Sequence, residues 1–280
     1  MAGTTSDGDG RGQGGTGAAG GQAASVRWES VRGLIRSDQR GALVTVIAGQ
    51  DVGAKLLVTV TSTEGSLGDA ALDEAATTTA RELLPGEESA VREIAGRQLF
   101  FDVFAPQPKL LIVGAVDFAA ALARVASQTG YRVIVVDARE RFATRDRIPD
   151  ADDVVVAWPH EYLAANPPDD STYACVLTHE PRFDDPTLRA LLGSQVAYIG
   201  AMGSRRAHGE RLERLRQDGY GEEELARING PVGLDIGAKS PEETAVSIMA
   251  EVIAARHGRR GGRLSDRREP VHTIRERGRV

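Results

Sequence analysis

Apolar and polar positions follow two different rhythms along this chain. Two β-branched runs, ALVTVIA (Ala42–Ala48) and KLLVTVT (Lys55–Thr61), are separated by the turn residues GQDVG, which predicts a hairpin. A helix is expected just ahead of it, around Trp28–Ser37. After the glycine turn Gly65-Ser66-Leu67-Gly68, Asp69 is placed to cap an Ala-rich helix that ends near Pro85. Leu99–Phe104 has the composition of a further strand. Together these elements predict a small α+β domain over residues 25–105, with Pro106–Pro108 marking its end.

From Lys109 short apolar runs alternate with helical patterns. Strands are expected at Leu110–Gly114, Arg132–Asp137, Val154–Val156, Tyr173–Thr178 and Gln195–Ile199. The intervening helices fit Phe118–Thr129, Tyr162–Asn166, Pro186–Leu192 and Ser204–Asp218. Such alternation predicts βαβ units around a parallel sheet. The expected fold class is therefore α/β: a Rossmann-like parallel-sheet domain over residues 109–256, preceded by the smaller α+β domain. The last helix has strong start signals, since Ser240 is followed by Pro241 and by Glu243 three residues on. Ala245, Ile248, Met249, Val252 and Ile253 then recur at helical spacing.

Composition changes the picture at the ends. Residues 1–24 are rich in Gly, Ser, Thr and Ala, without enough apolar surface to offset chain entropy, and are expected to form a disordered leader. The Arg- and Gly-rich residues 257–280 are expected to be a solvated, disordered basic tail rather than a binding arm. A net charge of −6 with both signs well mixed argues against nucleic acid as a partner. Apolar runs such as Leu110–Val113 are too short to cross a bilayer, and the opening residues lack the features of a secretory signal. With a single cysteine, Cys175, no intramolecular disulfide can form. The expectation is a cytoplasmic protein without membrane contact, and the abundance of Ala, Arg, Asp and Gly suits a high-GC bacterial proteome.

Candidate chemistry concentrates where expected strands run into helices. In LLIVGAVDFAAALARVA, Gly114 supplies a tight turn ahead of a helix whose free N–H groups can face an anion. The second and third glycine positions of a dinucleotide fingerprint are Val116 and Ala119, so one glycine of the three remains. Asp137, at the end of the next strand, stands where an acid would hold a ribose 2′-OH; the alternative is that Asp137 and Arg139 cap a loop. A second turn, Tyr198–Arg206, contains Gly200, Gly203 and Ser204, followed by Arg205 and Arg206. Two arginines in a first helical turn oppose the helix dipole, which suits a phosphate or other oxyanion ligand unless they pair with Glu210 or Glu213. A third loop, Gly230–Lys239, offers Asp235 and Lys239. His179 ends the fourth strand on the ligand-binding edge, for acid–base work, polar recognition or a structural hydrogen bond. Cys175 reads as a buried small hydrophobe. No Cys/His spacing of a metal site and no catalytic pair is found.

At these residues the chain resembles the XdhC/CoxI family, the xanthine dehydrogenase accessory proteins. The resemblance rests on YIGAMGSRRA (Tyr198–Ala207), PVGLDIGAKSPEETAVSIMAEVIA (Pro231–Ala254) and THEPRFDDPTLRALL (Thr178–Leu192). Gly114–Ala119 and Gly53–Val58 also fit it. It implies a non-catalytic maturation factor for a molybdenum hydroxylase of the xanthine or carbon monoxide dehydrogenase type. Such a factor binds the molybdenum cofactor (molybdopterin) and assists its sulfuration and insertion. The implied partners are a cysteine desulfurase and the molybdenum hydroxylase subunit; an oligomer is compatible with that role. The pterin's phosphate, or its nucleotide form, would be the ligand of the anion-binding turns. Many members carry a cysteine in a first-domain motif GSxSGGCxE, and Ala71 stands at that position here. A soft thiolate suited to molybdenum or sulfur is thus missing from the loop. The Rossmann pattern by itself leaves two alternatives open, an NAD(P)-dependent oxidoreductase and a nucleotide-binding interaction module.

Overall fold

The computed structural model describes residues 25–37, 39–87 and 89–266, and it divides into two compact units at the Ala105–Pro106 boundary. The expected leader at 1–24, and the expected tail from residue 267 onward, lie outside the described residues.

The first unit is a five-stranded antiparallel sheet with two helices. Its strands are β1 (Gly41–Ala48), β2 (Lys55–Thr59), β3 (Thr63–Ser66), β4 (Ala90–Ile94) and β5 (Arg97–Phe104), in the order β3-β2-β1-β5-β4. The helices are α1 (Trp28–Arg36) and α2 (Ala70–Leu83). Period-two alternation sends the strands' side chains to opposite faces. Val44, Val46, Leu56, Val58, Leu99 and Phe101 pack with Leu72, Ala76 and Ala80 of α2. Leu43, Leu57 and Phe104 point the other way, onto Val31 and Leu34 of α1. The expected hairpin forms, with Gly41 opposite Thr59 and Thr45 opposite Lys55. Gly65 and Ser66, however, are strand rather than turn, since they pair with Leu56 and Lys55. The two strands that the pattern does not predict, β3 and β4, lie at the sheet's edges, where partly exposed positions have no need of an apolar run.

The second unit is a six-stranded parallel sheet covered on both faces. Its strands are β6 (Lys109–Val113), β7 (Arg132–Asp137), β8 (Asp153–Val156), β9 (Thr172–Val176), β10 (Tyr198–Ala201) and β11 (Ile228–Asn229). The helices are α3 (Asp117–Gln128), α4 (Pro159–Ala165), α5 (Pro181–Leu192), α6 (Arg205–Gln217), α7 (Glu222–Leu225) and α8 (Pro241–Arg256). The strand order β8-β7-β6-β9-β10-β11 is the 3-2-1-4-5-6 order of dinucleotide-binding folds. Leu110, Ile112, Val133 and Val135 face α3 and α8, whereas Leu111, Val113, Ala174 and Val176 face the side of α4, α5 and α6. Burial on both faces is why these strands read as continuous apolar runs.

Four boundaries differ from expectation. Helix α4 starts at Pro159, where proline can open the first turn, rather than at Tyr162. Strand β9 ends at Val176, so Thr178 and His179 lie in the loop after it and do not end the strand. Pro186 lies inside α5, which starts at Pro181; packing of Phe183, Leu188 and Leu191 outweighs one missing backbone bond. Strand β10 runs from Tyr198 to Ala201, so Gly200 sits within the sheet, paired with Cys175 and Asn229.

Candidate functional site

All strands of the parallel sheet end on one edge, and the helices after β6 and β9 lie on opposite faces, so their loops part there. This is the switch point at which folds of this order bind ligands. Gly114 makes the first turn at φ +101°, and a Cβ on it would stand 2.5 Å from Thr178 Cγ2. Both the backbone conformation and the close approach of the β9 loop therefore demand glycine.

The next amide of that turn is already occupied. Ala115 N donates to Asp137 Oδ2 (2.7 Å), whose second oxygen accepts from Arg139 N (2.8 Å) and Nε (2.9 Å). Arg139 Nη2 completes the fork to Oδ2 at 2.7 Å. Burial by itself would raise the Asp137 carboxyl, but the hydrogen bonds from Arg139 and Ala115 hold it below its ordinary value. Asp117, exposed at the start of α3, pairs with Arg147 at 3.2 Å.

Across the switch point a buried polar chain joins three elements. Thr178 Oγ1 donates to Asp184 of α5. Arg211 Nη2 of α6 donates to Asp184 Oδ2 and to Met202 O, each at 2.9 Å. Both charged side chains are buried, and Arg211 Nε and Nη1 have no hydrogen-bond partner among the described residues. Burial raises the Asp184 carboxyl, and the bonds from Thr178 and Arg211 offset this only in part. Sequence reasoning misses this pair. The available signal is Arg211 four residues before Leu215, a charged residue on the apolar stripe of α6. His179, next to Thr178, is exposed and forms no hydrogen bond or ion pair among the described residues.

The turn from β10 into α6 carries the other basic groups. Gly203 adopts φ +142°, and Ser204 caps the helix by accepting from Ala207 N at 3.1 Å. Arg206 forms an ion pair with Glu210 at 2.7 Å, whereas Arg205 is exposed and unpaired among the described residues. Gly200 serves packing: a Cβ there would stand 2.5 Å from Val232 Cγ2. Val232 belongs to the loop ahead of α8, which is fixed by Val232 N to Ala201 O (3.1 Å), Leu234 N to Ser247 O (3.2 Å) and Gly233 N to Glu251. Asp235 and Lys239 are exposed on the outer part of that loop.

The described residues do not converge on a soft metal. Cys175 is fully buried, and burial pushes its thiol above the ordinary range. Ala71 is exposed in the first turn of α2. In the loop before it, Leu67 N donates to Asp73 (2.6 Å), Gly68 N to Ser66 Oγ (3.0 Å) and Leu72 N to Asp69 (2.9 Å). No group of three or more His, Cys, Asp or Glu side chains among the described residues could hold a metal ion. No helix among them is long and apolar enough to cross a membrane.

Residues 110–252 match the model of the XdhC Rossmann domain, and residues 34–95 match that of the XdhC and CoxI family. The chain belongs to the XdhC and CoxI family. This family member is 31% identical over 229 residues to a probable xanthine dehydrogenase subunit of Bacillus subtilis (strain 168), an overlap of 82% of this chain and 64% of that protein. It is 30% identical over 153 residues to the molybdenum cofactor insertion chaperone PaoD of Escherichia coli (strain K12), covering 55% of this chain and 42% of PaoD. The uncharacterized protein YqeB of the same strain is 29% identical over 168 residues, 59% of this chain and 30% of YqeB. The chain thus spans less than two thirds of the length of these curated relatives. A crystal structure described as a xanthine dehydrogenase from Bacillus halodurans has the same fold, with a TM-score of 0.50 at 20% identity over 83% of this chain and 96% of that one.

Proposed function

We propose that this XdhC and CoxI family member is an accessory factor for a molybdenum hydroxylase of the xanthine or carbon monoxide dehydrogenase type. It holds the molybdenum cofactor as cargo during sulfuration and insertion. The hydroxylase subunit receives the cargo, and a cysteine desulfurase supplies the sulfur. Family membership and the role carried in the name of the PaoD relative support this reading.

The structural observation that carries it is the β10–α6 turn. Exposed Arg205, unpaired among the described residues, stands at a serine-capped helix start. Free N–H groups beside a guanidinium suit a phosphate. Gly203, Ser204, Arg205 and Lys239 hold the cargo's anionic end, with His179 and Asp235 on its polar edge and Arg206 shared with Glu210. Gly114, Asp137 and Gly200 shape the edge. With Ala71 in the first unit and Cys175 sealed in the second, the cargo is held by its organic and phosphate portion rather than by its metal.

Protein purified anaerobically and titrated calorimetrically with molybdenum cofactor is expected to bind it. Arg205→Ala should weaken that affinity about tenfold or more, the loss expected for a charged hydrogen bond. Binding of NAD(H) and not of the cofactor would overturn the reading in favour of a nicotinamide-dependent oxidoreductase.

A further inference from the structure

We infer that the same edge of the second unit carries a separate subsite, on the loops after β7 and β8, which takes a planar heteroaromatic ring by stacking on Trp158. The natural ring rests on the cargo reading above; the subsite rests on its own geometry. Trp158 stacks on Phe183, with ring centroids 4.8 Å apart and an interplanar angle of 22°. Phe183 is buried, yet Trp158 remains 38% exposed. The His160 ring also flanks the indole, at 6.1 Å and a tilt of 54°. A large indole held by Phe183 and His160 and still partly open to solvent is a preorganised stacking platform. From the loop after β7, Phe142 is 37% exposed, and the guanidinium groups of Arg139 and Arg147 lie 4.7 and 5.1 Å from its ring centroid. Arg182 lies 4.8 Å from the ring of Phe183.

The charges in this patch are balanced. Arg139 is held by Asp137, Arg147 by Asp117 and Arg182 by Glu180. The surface therefore selects a ring, with no excess charge to attract a free anion. The usual nucleotide device is also spent here, because both oxygens of Asp137 are engaged by Ala115 and Arg139. Recognition proceeds by stacking and not through a ribose 2′-OH. Guanine and pterin share the required fused, planar ring chemistry.

The chain has two tryptophans, so Trp28→Phe leaves Trp158 as the only indole. That variant is titrated with pterin-6-carboxylate, GMP, dGMP and inorganic phosphate, and its fluorescence is followed. Saturable quenching by pterin-6-carboxylate, by GMP, or by both is expected, with GMP and dGMP within about twofold of each other and no response to phosphate. Quenching by the pterin alone assigns the subsite to a pterin ring; quenching by GMP as well extends it to fused purine rings. In calorimetry, Trp158→Leu should weaken ring binding at least about tenfold. The inference is overturned if neither ring quenches, if phosphate alone does, or if dGMP binds more than about tenfold more weakly than GMP. Cofactor binding that Trp158→Leu leaves unchanged would defeat the subsite alone. Ring binding without any cofactor binding would defeat the maturation role and leave the subsite standing.

Discussion

Asp137 shows how one residue's meaning depends on its neighbours. Its place at the end of the second parallel strand is legible in the sequence, but its partners are not. The Ala115 amide lies 22 residues away along the chain, and Arg139 folds back over the carboxylate. Since the folded-state pKa is held below 3.8, this carboxylate adds stability that is complete above the unfolded value and is lost as pH falls through the folded one. Asp137→Asn should therefore cost about 1–3 kcal/mol near neutral pH. The difference from the parent should narrow as pH drops well below 3.8, as urea titrations across that range would report. A constant difference at all pH values would show that Asp137 acts by shape and not by charge. For the arginines beside Ser204, the sequence is compatible with anion binding or with pairing to a nearby glutamate. Arg206 takes the second course with Glu210, and Arg205 has no such partner among the described residues.

Among elements, helix starts are the most legible features, because their signals are local. Asp69, Ser204 and Ser240 each accept a backbone N–H three residues on, and Glu243 returns the bond to Ser240. Edge strands β3 and β4 and the short β11 are not legible, since partial exposure relaxes the apolar pattern. Nor is the join between β9, α5 and α6 by Thr178, Asp184 and Arg211. Arg211→Leu would strand Asp184 as a buried, unpaired carboxylate and should cost about 3–5 kcal/mol in urea denaturation. Adding Asp184→Asn to Arg211→Leu should restore part of that loss, because the uncompensated charge is gone. Strictly additive losses would mean that the two side chains act independently.

At the scale of the molecule, each unit has its own apolar core, one between α1, the antiparallel sheet and α2, the other on both faces of the parallel sheet. Cores of this kind support independent folding. Residues 106–266 produced alone are expected to unfold in a single cooperative transition by circular dichroism, as are residues 25–105. A non-cooperative melt of either fragment would show that its core needs the rest of the chain.

Periodicity and local turn chemistry were enough to place the hairpin, the alternating strands and helices, the capped starts and the α/β class, because each depends on residues within a few positions of one another. Resemblance at Thr178–Leu192, Tyr198–Ala207 and Pro231–Ala254 was enough to bring the family into view. Which donor each carboxylate accepts, and hence which groups at the ligand edge are spent and which are free, was decided only by tertiary structure. Ala115 and Asp137 are 22 residues apart and Asp184 and Arg211 are 27 apart, and only the closure of the parallel sheet and the packing of helices on its faces bring them within hydrogen-bonding distance.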